Sequence, residues 1–310
     1  MKKVFIDGSA GTTGLRIRER LAARQDVTLL TLPEEKRKDP QARKEMLNAA
    51  DAVFLCLPDD AAREAVSMLE NPDTVVLDTS TAHRTEPGWS YGFPELSPAH
   101  EAALRTSKRI AVPGCHASGF IALVHPLIAE GILSKNALLS ATSLTGYSGG
   151  GKKMIAEYES EDRDALLSAP RQYALGQTHK HLKEMKAQTG LENAPLFLPI
   201  VADFYSGMEV TVPIFASWLN AGYGMKDICE VYAAAYKTPL LSYKEGTDEG
   251  GFLSAAAFSG KDSMQVSVFG NEERILLVSR YDNLGKGASG AAIECFNLSM
   301  GEDAYEGLVL

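Results

Sequence analysis

A chain of 310 residues is longer than most single cores, so two domains are expected. With 45% hydrophobic and 23% charged residues it has a globular rather than a disordered composition. The formal net charge of −9 argues against general affinity for nucleic acid or an anionic membrane, so an anionic ligand must be held by local donors.

The N-terminal run MKKVFID carries two lysines and a short apolar stretch, but Asp7 interrupts it before a signal-peptide core can form. No segment has the length of a membrane span. The cysteines (Cys56, Cys115, Cys229 and Cys295) are scattered, without a C-x-x-C pair or zinc-ligand spacing. A reduced, cytoplasmic protein without structural metal is expected.

Residues 4–7 predict a strand, which runs directly into Gly8-Ser9-Ala10-Gly11-Thr12-Thr13-Gly14 and then a helix over 15–24. Glycines after a strand let backbone N–H groups approach a pyrophosphate at the positive end of the following helix. The spacing here, G-x-x-G-x-x-G, is one residue wider than the usual dinucleotide fingerprint, and its alternative is a plain tight turn. Its place in a β-α-β pattern favours a dinucleotide. The second strand, 27–32, is followed by Glu34, Glu35, Lys36, Arg37 and Lys38. A basic cluster there suits a 2′-phosphate, so NADP(H) is expected, with Arg37 among its contacts.

Strands at 52–57, 74–78 and 109–112, with a helix at 60–69, complete the alternation of a doubly wound, Rossmann-like parallel sheet. The loop after the fourth strand, Asp78 to Arg84, lies where ligands of open sheets gather. Ser80 is expected near the cofactor, and Arg84 as a clamp for phosphate or carboxylate.

The fifth strand leads through Pro113-Gly114 into Cys115 and an apolar helix over 117–129. A helix N-terminus favours the thiolate and can hold an oxyanion, so Cys115 is the candidate nucleophile. The other cysteines lie inside strand or helix patterns and read as structural. Beyond this point the pattern changes to an α+β domain. Residues 137–146 predict a strand, and Tyr147-Ser148-Gly149-Gly150-Gly151-Lys152 an anion-holding nest ahead of a charged helix over 152–167. Gln177-Thr178-His179-Lys180-His181 supplies candidate acid–base groups. The two histidines face one way if the segment is extended, and are split if a helix starts there. His116 is a third candidate. Alternating runs at 208–215, 264–270 and 274–279 predict a largely antiparallel sheet, crossed by a helix over 228–236.

GSAGTTG, VPGCHASGF, LTGYSGGGK, THKHLKEM and DNLGKGASGAA, in that order, resemble the shorter class of N-acetyl-gamma-glutamyl-phosphate reductases. These are relatives of aspartate-semialdehyde dehydrogenase. The resemblance implies NADPH-dependent reduction of an acyl phosphate, N-acetyl-glutamyl 5-phosphate, to the 5-semialdehyde in arginine biosynthesis. It assigns the nucleophile to Cys115 and the acid–base group to His181; Ser118, Ser148, Gly149, Gly150, His179 and Arg84 are expected on the substrate side. It further implies that Asn283, Gly285 and Gly287 lie near the cofactor and that the last helix joins the first domain. The domains are then 1–116 with 284–310, and 117–283, assembled as a homodimer or homotetramer. Rival readings are the same chemistry on aspartyl phosphate or a carrier-bound amino-acid phosphate, and a non-catalytic NADP-binding regulator. The chain departs from the longer class, which has Tyr-Pro-Thr after the cysteine where this one has His-Ala-Ser.

Overall fold

The computed structural model describes every residue from Met1 to Leu310. The chain divides into two compact units. The first comprises Met1–Pro94, Pro98–Gly114 and Ala288–Leu308. The second comprises Glu95–Ser97, Cys115–Gly287 and Val309–Leu310.

The first unit contains β1 (Lys2–Asp7), α1 (Thr12–Ala22), β2 (Val27–Leu30), α2 (Pro40–Ala49), β3 (Ala52–Leu55), α3 (Asp59–Ser67), β4 (Val75–Asp78), β5 (Ser90–Tyr91), α4 (Pro98–Thr106) and β6 (Arg109–Ala111). Its strands form a parallel sheet in the order β2-β1-β3-β4-β6-β5. Successive strand residues point to opposite faces, and here both faces are covered. Val4 and Ile6 join Ile17, Leu21 and Phe296 in one core, while Phe5 joins Leu47, Val53 and Leu55 in the other. Each such fully buried side chain contributes roughly 1.5–3 kcal/mol.

Two helices of this unit, α2 and α4, and the short strand β5 were not predicted. The start of α2 nevertheless carries a cap: the Asp39 carboxylate accepts from Ala42 N–H at 2.7 Å, with Pro40 in the first turn.

The second unit opens with α5 (Cys115–Ala129) and continues through β7 (Ser140–Gly146), α6 (Gly151–Glu159), β8 (Arg171–Gln172), α7 (His181–Thr189), β9 (Leu196–Ala202), β10 (Met208–Phe215), α8 (Met225–Ala235), β11 (Leu241–Tyr243), β12 (Met264–Gly270) and β13 (Arg274–Tyr281). The sheet order is β11-β12-β13-β10-β7-β9-β8. Strands β12, β13, β10 and β7 run antiparallel to their neighbours in turn, whereas β11 pairs parallel with β12 and β9 parallel with β7. The largely antiparallel sheet is thus mixed at its flanks.

The charged helix expected over 152–167 ends at Glu159. Asp164 then caps a separate 3₁₀ turn, Ala165–Ser168, by accepting from Leu166 N–H at 2.9 Å. Helix α5 is apolar all round and is buried from His116 to Leu123 without a break, as a helix central to its unit must be. Tyr236 and Tyr232 on α8 donate their hydroxyls to Ala122 O and Leu123 O of α5, at 2.6 and 2.5 Å. On β10 the buried residues Val210, Val212 and Ile214 alternate with Thr211, Pro213 and Phe215 on the opposite, accessible face.

After Gly287 the chain joins the first unit through α9 (Gly290–Ser299), which is preceded by a wide turn, Gly285–Ser289.

Candidate active site

Cys115 is the first residue of α5, directly after Pro113-Gly114, at the end of the helix where the dipole is positive. The residue is half-buried. Cys295 is buried with its thiol on Gly92 O at 3.3 Å, and burial pushes the Cys56 thiol up to about 12. Neither is fitted to be a nucleophile at neutral pH.

Three imidazoles cluster behind this helix start. The His116 ring centroid is 5.7 Å from that of His179 and 5.8 Å from that of His181, and the latter two are 4.7 Å apart and edge-on. Helix α7 does begin at His181, yet the two rings stay together, because His179 turns back and its Nδ1 accepts from His181 N–H at 3.2 Å. A helix start therefore does not split the pair.

His116 is fully engaged. Its Nδ1 pairs with Ser143 Oγ at 2.7 Å and its Nε2 with Tyr173 Oη at 2.6 Å. Burial, reinforced by His179, lowers it to about 3, so it stays neutral. Burial, and secondarily Lys180, also lowers His179. Burial raises the Tyr173 phenol, and the charge of Cys115 adds to the effect. Tyr173 therefore lies within electrostatic reach of the sulfur, a site residue that sequence reading missed. Tyr173 precedes a loop in which Ala174 and Gln177 both have φ of 52°, an uncommon left-handed backbone for such residues. The Gln177 amide anchors that loop by donating to Phe197 O at 2.7 Å and accepting from Phe197 N–H at 2.9 Å.

The glycine loop of the first unit borders a cavity of about 790 Å³, lined by Gly8, Ser9, Arg18, Arg37, Lys38 and Arg43 among others. Gly8 has φ +88°, and a Cβ there would stand 2.2 Å from Cys56 O. Thr12 Oγ1, at the start of α1, is buried without a hydrogen-bond partner. An orphaned hydroxyl at the N-terminus of the helix that follows this loop fits the phosphates of a nucleotide, and Arg18, Arg37 and Lys38 line the cavity together with Glu34 and Glu35. Arg43 reaches the same cavity but is tied to Asp7 at 2.9 Å and Glu64 at 3.1 Å.

Several expected contacts have other roles here. Ser80 Oγ donates to Asp78 Oδ2 at 2.7 Å and accepts from Ala82 N–H at 3.1 Å, within a buried cluster that includes His83. Arg84 is buried, with Nε donating to Val112 O and a terminal nitrogen to Thr79 O, both at 2.9 Å. Both residues brace the strand ends instead of presenting these groups to a ligand. Ser118 is buried within α5.

Asn283 accepts from Gly207 N–H at 2.9 Å and donates to Ser148 Oγ at 3.0 Å, so it fastens the Ser148–Gly150 turn. A Cβ on Gly149 would lie 3.4 Å from that same amide, and one on Gly150 would meet Met154. Gly285 is glycine because a Cβ would stand 2.0 Å from Lys261 O. A Cβ on Gly287 would stand 3.0 Å from Cys115 Cβ. This glycine run makes room for protein atoms, including those of Cys115.

Comparisons with known proteins follow the same division. A model of the semialdehyde dehydrogenase NAD-binding domain matches residues 3–104, and one of the semialdehyde dehydrogenase dimerisation domain matches 115–283. The N-acetyl-gamma-glutamyl-phosphate reductase of Trichormus variabilis is 43% identical, over 96% of this chain and 97% of its own. That of Chelativorans sp. is 42% identical, over 96% and 98%. Among solved structures, aspartate semialdehyde dehydrogenase II of Vibrio cholerae superposes with a TM-score of 0.70 at 16% identity, over 97% of this chain and 98% of its own, which shows a shared fold.

Proposed function

The chain belongs to the N-acetyl-gamma-glutamyl-phosphate reductase family, and from that premise we propose that it reduces N-acetyl-glutamyl 5-phosphate to the 5-semialdehyde and phosphate in arginine biosynthesis, through a thioester on Cys115. The observation that carries this reading is the half-buried Cys115 at the mouth of α5 with a histidine cluster beside it.

The Cys115 thiolate attacks the acyl carbon and the C–O bond to phosphate breaks, leaving a thioester. NADPH, held when bound by the Gly8–Gly14 loop with Arg37 at its basic end, supplies the hydride that reduces the thioester. His181 gives its proton to the carbonyl oxygen as that carbon becomes tetrahedral. His181 then takes the proton back, the C–S bond breaks, and the aldehyde leaves with the thiolate restored. Dividing the reduction this way replaces one difficult step by two easier ones.

The acid–base assignment to His181 draws support from its neighbours: His116 has both nitrogens occupied and stays neutral, and His179 has Nδ1 occupied by a backbone N–H. The Ser148–Gly150 turn, fastened by Asn283, and His179 form the substrate side.

The enzyme works in the cytoplasm as a homodimer or homotetramer. Free cysteines suit the first statement. The accessible face of β10, with Pro213 and Phe215, and the dimerisation domain matched over 115–283 suit the second. The test is turnover of purified protein with NADPH against N-acetyl-glutamyl, aspartyl and carrier-bound amino-acid phosphates. Preference for the N-acetylated substrate is expected, and preference for another acyl phosphate would overturn the substrate assignment.

A further inference from the structure

Tyr281 closes the C-terminal end of β13, a strand paired on both sides, and is completely buried. Its hydroxyl reaches the first turn of α5. It donates to Cys115 O at 2.6 Å and accepts from Gly119 N–H at 3.0 Å. Those two backbone groups are an i, i+4 pair, whose direct hydrogen bond is the unit of an α-helical ladder. A side-chain hydroxyl contacting both ends of such a pair ties the first turn of α5 to the end of β13.

The surrounding residues keep this tie in place. A Cβ on Gly119 would stand 2.6 Å from Tyr281 Oη, 2.6 Å from Ser279 Oγ and 2.7 Å from Val210 Cγ2, so only glycine lets the strand come this close. A Cβ on Gly287 would stand 3.0 Å from Cys115 Cβ, so a side chain there would crowd Cys115. The segment 281–287 thus holds the nucleophile at its carbonyl and, through glycine at 287, leaves its Cβ uncrowded. Burial, and then the charge of Cys115, holds the phenol neutral, so the hydroxyl proton is always present.

We propose that Tyr281 is a positioning residue for the nucleophile, its hydroxyl tied to the first turn of α5 to set the orientation of Cys115. It is not a proton donor in the reaction, because its one proton is committed to Cys115 O. This deepens the reading of Cys115 as nucleophile and rests on it.

The geometry separates positioning from packing. In Tyr281→Phe the ring remains in its pocket, and the Cys115 carbonyl loses only its hydroxyl donor. The fold is therefore retained while the carbonyl of Cys115 is no longer held from β13, and Cys115 shifts. The expected result is a kcat lower by roughly 10- to 100-fold with KM within about twofold, since small misplacement of a reacting atom is costly. The melting temperature stays within about 3 °C. Iodoacetamide labelling of Cys115, followed by peptide mass spectrometry across pH, moves to a midpoint higher by about half a unit or more, as the thiolate loses its alignment with the helix start.

A Tyr281→Phe protein with wild-type kcat and labelling profile overturns the proposal. So does one that fails to fold or melts far below wild type, because the role is then structural. Labelling does not depend on which acyl phosphate is used, so an error in the substrate leaves this readout intact. Absence of turnover in the wild-type protein itself would count against the function and not against the positioning role.

Discussion

Two glycine-rich stretches, Gly8–Gly14 in the first unit and Gly285–Gly290 further on, look alike as text and do different work. In the first, Gly8 takes a positive φ that turns the chain beside a cavity lined by Arg18, Arg37 and Lys38 with Glu34 and Glu35, and the buried Thr12 hydroxyl that follows has no protein partner. In the second, Gly285 and Gly287 remove side chains so that Lys261 O and Cys115 can approach. One run borders the cavity proposed for the nucleotide, the other makes room for the protein's own backbone and for Cys115. A glycine signals close approach; what approaches depends on the tertiary neighbours.

The largest effect that tests this contrast comes from removing the sulfur. Cys115→Ser should lower turnover by at least about 10⁴-fold. NADPH affinity, measured by fluorescence titration, should stay unchanged, since the nucleotide belongs to the first run. Loss of binding would erase the distinction.

Paired glycine substitutions come next. Gly8→Ala meets Cys56 O and an unfavourable φ, and should raise the NADPH Kd by about tenfold or more and destabilise by about 2–4 kcal/mol. Gly287→Ala should lower kcat by about tenfold through displacement of Cys115, with NADPH affinity intact. Titration and steady-state kinetics on both variants decide this; matching phenotypes would break the comparison.

A third effect belongs to the second unit. His116 is neutral and lowered to about 3, whereas in the unfolded chain it titrates near 6.5. Between those values the unfolded chain binds the extra proton. Stability is thus fully present above about pH 6.5 and is lost as pH falls toward 3, by up to about 1.4 kcal/mol per unit. Urea unfolding at pH 7 and pH 5 should show the loss, and His116→Gln should flatten it. An unchanged slope would mean His116 is not the titrating group.

The smallest effect is expected at the edge of the cofactor cavity. Arg37→Ala should raise the KM for NADPH by about fivefold while leaving that for NADH little changed, as removal of a 2′-phosphate contact does. Equal effects on both cofactors would remove Arg37 from phosphate recognition.

The contrast also marks what was legible in the sequence. The strands at 4–7 and 52–57, the glycine loop and the Pro-Gly-Cys entry to α5 announce themselves through local pattern, because their causes lie within a few residues. Helix α2 had a readable start in Asp39-Pro40 that the charged surroundings obscured. Ser80 and Arg84 looked like ligand contacts because their burial and their carbonyl and carboxylate partners are tertiary facts. Tyr173 and Tyr281 lie 57 and 166 residues from His116 and Cys115, the groups they hold, and no spacing rule joins them.

The central claim is that one sulfur carries the acyl group. The direct measurement mixes the enzyme with N-acetyl-glutamate 5-semialdehyde and NADP⁺ in the absence of phosphate, and follows NADPH absorbance and intact mass. Aldehyde oxidation then stops at the thioester, so the account predicts a burst of about one NADPH per chain and one acyl group mapped to Cys115. Continuous turnover without any adduct, or an adduct on another residue, would contradict it.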